Sequence, residues 1–348
     1  MIKANYHRYL LDFKTPSGTS RGVLTQKETW FLVLERNGCK GIGECGLFRG
    51  LSCDDTPEYQ QKLAWVCKHI NKGVTYLLAQ LIDYPSIQFG VEQAFKSLTS
   101  LTHPLELWGS EFTKSEQSIP INGLVWMGSK DFIKAQIKEK ISAGFTCIKL
   151  KIGALDFETE YQLLKDIRSE FSKEDIELRV DANGAFSADE ALEKLKRLST
   201  LDLHSIEQPI KQGQIEAMQV LCAKSPLAIA LDEELIGVNT LASRTHLLSE
   251  INPQYIILKP SLIGGFSGSK EWMRLADSKN IKYWITSALE SNVGLSAIAQ
   301  LTYLVTDKNT PQGLGTGSLF TNNFESPLKV TEGKLWYSLE NTWEIPYF

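Results

Sequence analysis

The chain has 348 residues, 43% of them hydrophobic, which suits one large barrel with an added domain or two ordinary domains. A net charge of −4 and a pI near 5.9 argue against a general nucleic-acid binder, and no apolar run approaches the roughly 20 residues of a membrane span. Six cysteines (Cys39, Cys45, Cys53, Cys67, Cys147 and Cys222) without CxxC spacing argue against a zinc site or a disulfide framework. Reduced thiols, and a start (MIKANYHRYLLDF) without a signal-peptide pattern, lead us to expect a cytoplasmic protein.

Residues 2–13 alternate loosely and read as a long strand. The polar, glycine-rich stretch 15–22 reads as a flexible loop. Segments 29–35 and 40–45 flank Asn37-Gly38, a strong hairpin signal. Residues 47–55 form a second irregular loop, and 57–72 and 86–98 look helical. This α+β block, residues 1–110, differs in rhythm from the remainder of the chain. From Ile119 strands and helices alternate. Strands are expected at 119–124, 146–152, 177–181, 204–207, 228–232, 255–259 and 282–287, with a short glycine-rich last strand or turn at 312–317. Helices are expected between them, the first over 129–143 with Ser129 as N-cap and Gly144 as stop. Eight strand candidates predict an α/β fold, a (β/α)₈-type barrel over residues 118–320 with an α+β N-terminal capping domain. The tail, 321–348, carries Trp336, Trp343 and Tyr347 and is expected to pack back on the capping domain.

Charged residues recur at the ends of successive strands. Asp181, Glu207, Asp232 and Lys259 follow one another at steps of 26, 25 and 27 residues, and Lys151 precedes Asp181 by 30. Each step fits one strand, one helix and two short loops. A doubly wound sheet would concentrate its ligand groups at one switch point, so this recurrence favours the barrel. Neighbouring strands lie about 4.8 Å apart, so three carboxylates on adjacent strands can converge on one ion. Oxygen ligands select a hard cation, Mg²⁺, with Mn²⁺ as a substitute. In a ring of eight, Lys151 and Lys259 face each other across the mouth, and Lys149 shares the inward face of Lys151. This geometry suits a small-molecule carboxylate whose adjacent C–H lies between two amines; losing that proton gives an enediolate. A lysine base must be partly neutral, and Lys149 and the cation would lower its pKa. Asn183, Glu233 and Glu234 are read as supporting or merely solvated groups. Nothing in the sequence gives the oligomeric state.

At Lys149-Leu150-Lys151, Asp181-Ala182-Asn183, Glu207-Gln208-Pro209, Asp232-Glu233 and Lys259-Pro260 the chain resembles the enolase superfamily, whose chemistry uses a lysine or histidine base with Mg²⁺. The lysine pattern is that of its muconate cycloisomerase-like subgroup. Stretches 43–48 with Leu51-Ser52, 287–294 and 313–320 are most similar to the o-succinylbenzoate synthase family. That family dehydrates 2-succinyl-6-hydroxy-2,4-cyclohexadiene-1-carboxylate on the way to menaquinone. The resemblance implies Lys151 as the base and then the acid of a syn elimination. It implies Lys259 as a cation–π partner on the opposite face, and Asp181, Glu207 and Asp232 as Mg²⁺ ligands. It implies that the 15–22 and 47–52 loops cover the substrate, and that backbone near Ser287, Gly264 and Gly265 receives its carboxylates or its succinyl arm. Dipeptide epimerases of the superfamily carry an Asp-x-Asp where this chain reads Gly315-Thr316-Gly317, which counts against that activity. N-acylamino acid racemisation, muconate cycloisomerisation and a non-catalytic scaffold role are the other readings.

Overall fold

The computed structural model describes residues 1–19, 22–126 and 128–344. The first domain is an antiparallel sheet of β1 (Lys3–Thr19), β2 (Gly22–Arg36) and β3 (Cys39–Cys45), backed by α1 (Tyr59–His69), α2 (Val74–Ala79) and α3 (Pro85–Ser97). Asn37 and Gly38 take φ of 54° and 81°, so the β2–β3 turn has the left-handed backbone that its sequence favours. Helix α3 lies directly on β3 because Gly43 and Gly90 have no side chains: a Cβ on Gly43 would come within 1.9 Å of the Gly90 carbonyl oxygen.

The 15–22 stretch is not a loop throughout. Strand β1 continues to Thr19 and β2 starts at Gly22, paired as Ser17↔Leu24, Gly18↔Val23 and Thr19↔Gly22. The register shifts between Asp12 and Ser17, a gap that contains Pro16, which has no N–H for the ladder. Residues 20–21 lie outside the described residues, as does Tyr347 of the tail.

The second domain is a parallel sheet in sequential order: β5 (Gly123–Val125), β6 (Cys147–Lys151), β7 (Glu177–Asp181), β8 (Ser205–Glu207), β9 (Ile229–Leu231), β10 (Tyr255–Leu258) and β11 (Lys282–Ile285). Between and after these strands come α4 (Lys130–Ser142), α5 (Phe157–Glu170), α6 (Ala188–Leu198), α7 (Ile215–Lys224), α8 (Leu241–Ile251), α9 (Gly265–Ser278) and α10 (Asn292–Val305). Apolar strand residues such as Leu178, Val180 and Ile206 and helix residues such as Leu195 and Trp272 build one continuous core. The ring closes through two residues rather than a full eighth strand. Gln312 bridges to Ile121 and Gly313 to Thr286, each in parallel sense. The Gln312 side chain accepts from the Ile285 N–H at 2.7 Å and donates to the Thr310 carbonyl at 2.8 Å.

The expected 119–124 strand divides. Residues Ile119–Pro120 form β4, which pairs antiparallel with β13 (Lys334–Tyr337), itself in a hairpin with β12 (Leu328–Thr331). Only β5 enters the barrel. The tail thus touches both domains: Tyr9 Oη donates to the Asn322 carbonyl at 2.8 Å and Phe324 packs on Tyr9 and Phe31, while the β12–β13 hairpin joins the strand leading into the barrel. No described helix is long and apolar enough to cross a membrane.

Candidate active site

Register explains why the strand-end charges meet. Lys151 pairs with Asp181, and Asp181 with Glu207, so the three stand at one level on β6, β7 and β8. Glu207 pairs with Ala230, which leaves Asp232 two residues higher. Leu231 pairs with Ile256, so Lys259 rises two residues again relative to Asp232. This climb is the stagger that strand tilt imposes on a closed barrel. Strands β6 and β10 are four apart in the ring, which puts Lys151 and Lys259 on opposite walls.

The carboxylates of Asp181, Glu207 and Asp232 are buried, while the side chains of Lys149, Lys151 and Lys259 keep between 12% and 14% of their exposure. Lys149 Nζ lies 2.9 Å from Asp181 Oδ2 and also donates to Glu207. Lys151 Nζ lies 3.2 Å from Asp181 Oδ2 and donates to Asn183 Oδ1 at 2.6 Å. Lys259 donates to Asp232. Among the described residues no three acidic, histidine or cysteine side chains form a ready cation cage; each of these carboxylates is engaged by a lysine instead.

Burial by itself would raise Asp181, but Lys149 and Lys151 outweigh it and hold its carboxyl well below the usual range. Burial likewise disfavours a charged Lys149, yet Asp181 and Glu207 push its pKa up. Asp232 is lowered and Lys259 raised, each against burial and each by the other's charge. Glu207 goes the other way: burial and the nearby Asp181 raise it well above an ordinary glutamate. Its Oε1 is buried and has no hydrogen-bond partner among the described residues. Of the three crowded carboxylates, Glu207 is the one that burial and its acidic neighbour turn most strongly against ionisation.

Asn183, in the left-handed region at φ 43°, donates to Glu233 Oε1 at 3.0 Å and so aims its carbonyl at Lys151. Glu234 accepts from Gln208 Nε2 at 3.0 Å and from the Gly213 N–H at 2.8 Å. Gln208, at φ 38°, also accepts from the Asp232 and Glu234 N–H groups, which ties the ends of β8 and β9 together. The loop after Lys151 is held by Glu160, whose carboxylate accepts from the N–H groups of Gly153, Ala154 and Leu155. Sequence reasoning quoted Gln208 only within the Glu207-Gln208-Pro209 motif and gave it no role, and it missed Glu160, for which an acidic residue in the first turn of α5 was the available signal.

A cavity of about 220 Å³ opens above these groups, and Lys149, Lys151, Asp181, Asn183 and Lys259 line it. Ser287 also lines it, its Oγ 2.6 Å from Thr316 Oγ1. Phe48 and Leu51 enter from the first domain, and Trp126 from the end of β5. Gly264 and Gly265 are not part of this cavity. They face α3, and a Cβ on Gly265 would meet Glu92 Oε2 at 2.2 Å. The start of α9 already holds an anion of the protein's own: Glu92 accepts from the Phe266 N–H at 2.5 Å and from the Ser267 N–H at 3.1 Å.

A parallel barrel with a carboxylate-and-lysine site at the carboxyl ends of its strands, beneath a separate α+β domain, defines a class. Residues 133–338 match the family described as "Enolase C-terminal domain-like", and the chain belongs to the enolase superfamily. Within it the chain groups with the o-succinylbenzoate synthases: it is 46% identical to the o-succinylbenzoate synthase of Desulfotalea psychrophila, over 96% of this chain and 98% of that one. The crystal structure of MenC from Desulfotalea psychrophila superposes with a TM-score of 0.85, covering 96% of this chain and 99% of that one at 43% identity. The muconate lactonizing enzyme of Pseudomonas fluorescens shares the fold (TM-score 0.82, 99% and 96% covered) at 19% identity. An L-Ala-D/L-Glu epimerase of Francisella tularensis is 32% identical over 47% of this chain and 45% of its own.

Proposed function

We propose that this lyase of the o-succinylbenzoate synthase kind dehydrates 2-succinyl-6-hydroxy-2,4-cyclohexadiene-1-carboxylate to o-succinylbenzoate, a step toward menaquinone. The observation that carries the reading is the pair of lysines on opposite walls of one cavity, above three buried carboxylates. Lys151 takes the proton α to the carboxylate, and the C–H electron pair passes into the enediolate. The C–O bond at the hydroxyl-bearing carbon then breaks, and the leaving oxygen takes that same proton back from Lys151. One amine serving both steps on one face makes the elimination syn. Lys259, on the opposite face, lies over the ring and stabilises the delocalised anion as a fixed cation. Asn183 orients Lys151 through its 2.6 Å hydrogen bond, and Glu233 holds Asn183 in turn. Lys149 holds Asp181 and Glu207 together.

The carboxylate set fits a hard divalent cation, since Glu207 has a buried oxygen without a partner among the described residues and a proton affinity raised by burial and by its acidic neighbour Asp181. Asp181, Glu207 and Asp232 would hold Mg²⁺, or Mn²⁺ in its place, which when bound would stabilise the negative charge that builds on the substrate carboxylate. Six free cysteines support a place in the cytoplasm. Gly315 and Thr316 line the cavity where a dipeptide's ammonium would need a carboxylate, so a dipeptide substrate is disfavoured. The deciding experiment is a side-by-side assay of the cyclohexadiene carboxylate, N-acylamino acids and dipeptides, with EDTA and Mg²⁺ add-back. We expect turnover of the first substrate that stops in chelator; turnover of dipeptides alone would defeat the reading.

A further inference from the structure

We propose that Trp126 is the specificity-determining wall for the substrate's six-membered ring, and that Gln136 is the residue that positions it. Leu124 pairs with Lys149 and Val125 with Leu150, so the next step along β5 brings Trp126 level with Lys151. Alternation puts Trp126 on the same inward face as the base, one strand away, where neighbouring strands lie about 4.8 Å apart. Both residues line the cavity.

Its environment separates this indole from a packing residue. Trp126 is only half-buried and is not among the side chains of the barrel core or those packed against it. Among the described residues it stacks on no other ring and its Nε1 makes no hydrogen bond, the bonds to Trp126 being those of its backbone. A large ring held at a site without packing there leaves its face and its N–H to a ligand.

The holding is done by the backbone. Gln136 Oε1 accepts from the Trp126 N–H at 3.0 Å, and Gln136 Nε2 donates to the Trp126 carbonyl at 3.1 Å. Both backbone groups just past the end of β5 are therefore fixed by one amide. Gln136 is itself fixed, because Ile133 and Ile137 bury the adjoining face of α4 and Ser129 caps the helix at the Phe132 N–H. The ligand class that fits is a flat or nearly flat carbocycle bearing a carboxylate: ring against indole, carboxylate toward the lysines. A flexible acyl amino acid gains little from such a wall.

This inference rests on the dehydratase reading, and the test keeps the two apart. Trp126→Ala, Trp126→Phe and Gln136→Leu are compared with wild type on the cyclohexadiene carboxylate. We expect KM to rise about tenfold in Trp126→Ala with a much smaller change in kcat, most of the loss restored by Phe, and an intermediate rise in Gln136→Leu. Wild-type turnover with an unchanged KM in Trp126→Ala, or Phe no better than Ala, overturns the role of Trp126. Wild-type protein without turnover sinks the dehydratase reading instead. The wall is then judged by quenching of tryptophan fluorescence with benzoate: quenching lost in Trp126→Phe upholds it, and equal quenching in both proteins overturns it.

Discussion

Replacing Glu44 by Gln tests how the first domain is fastened to the barrel. Glu44 lies in β3 and is fully buried. Its carboxylate accepts from Thr29 Oγ1 at 2.8 Å, from the Ser291 N–H at 2.9 Å, from Ser291 Oγ at 2.5 Å and from the Gly294 N–H at 2.8 Å. The last three donors belong to the start of α10, so a charge from one domain caps a helix of the other. Glutamine keeps one oxygen but turns an NH₂ toward donors it cannot accept from. Roughly two charge-assisted bonds are lost, at about 1.5–2 kcal/mol each, and the favourable charge at the helix end goes with them. The expected cost is about 3–4 kcal/mol. Urea unfolding followed by tryptophan fluorescence measures it, and steady-state kinetics should show KM rising, because Phe48 and Leu51 follow directly on β3 and wall the cavity. A loss below about 1 kcal/mol with unchanged KM would refute the idea that this carboxylate fastens the domains.

Lys151→Ala should abolish elimination and leave Mg²⁺ affinity nearly intact, as read by calorimetry; wild-type turnover would remove Lys151 from the chemistry. Lys259→Arg should keep part of the dehydration rate, since a cation remains over the ring, and far less of any racemisation; equal losses in the two assays contradict that division. Asp54 is buried, and burial pushes its carboxyl up to about 6 from the ordinary 3.8, against the hydrogen bonds it accepts from Ser86. The folded state therefore holds a proton that the unfolded chain releases, so stability should fall as pH rises from about 4 to about 6, by about 3 kcal/mol, and stay level above. Asp54→Asn should flatten that window in pH-dependent melting, and an undiminished slope would assign it to another group. Gly43→Ala should cost more than about 2 kcal/mol, because a methyl there meets the Gly90 carbonyl at 1.9 Å; a neutral substitution would mean that α3 can slide on its sheet.

Much of the barrel was legible because its signal is local and repeats. A buried strand ending in a charged residue, followed by a helix, recurs from Cys147 to Lys259, and the register turns that recurrence into one site. Where the pattern depends on distant partners, sequence reading fell short. The closing segment looks like a glycine-rich turn, because its strand role consists of two residues and the side chain of Gln312. Strand 119–124 divides because its first half is claimed by β13, more than 200 residues away. Stretch 15–22 is rich in turn formers, yet it pairs to Thr19 because a register shift absorbs its proline. Gly264 and Gly265 suggested an open anion site; only the fold shows that Glu92 already fills it.

Two barrel helices begin on acids lent by the neighbouring domain, α10 on Glu44 and α9 on Glu92. Swinging that domain away as a unit would break both sets of contacts at the same moment. Entry and exit of small molecules thus fall to short segments and single side chains near Phe48 and Leu51. Anyone reshaping this enzyme for a new substrate would start with those segments and leave the two acidic pegs in their sockets.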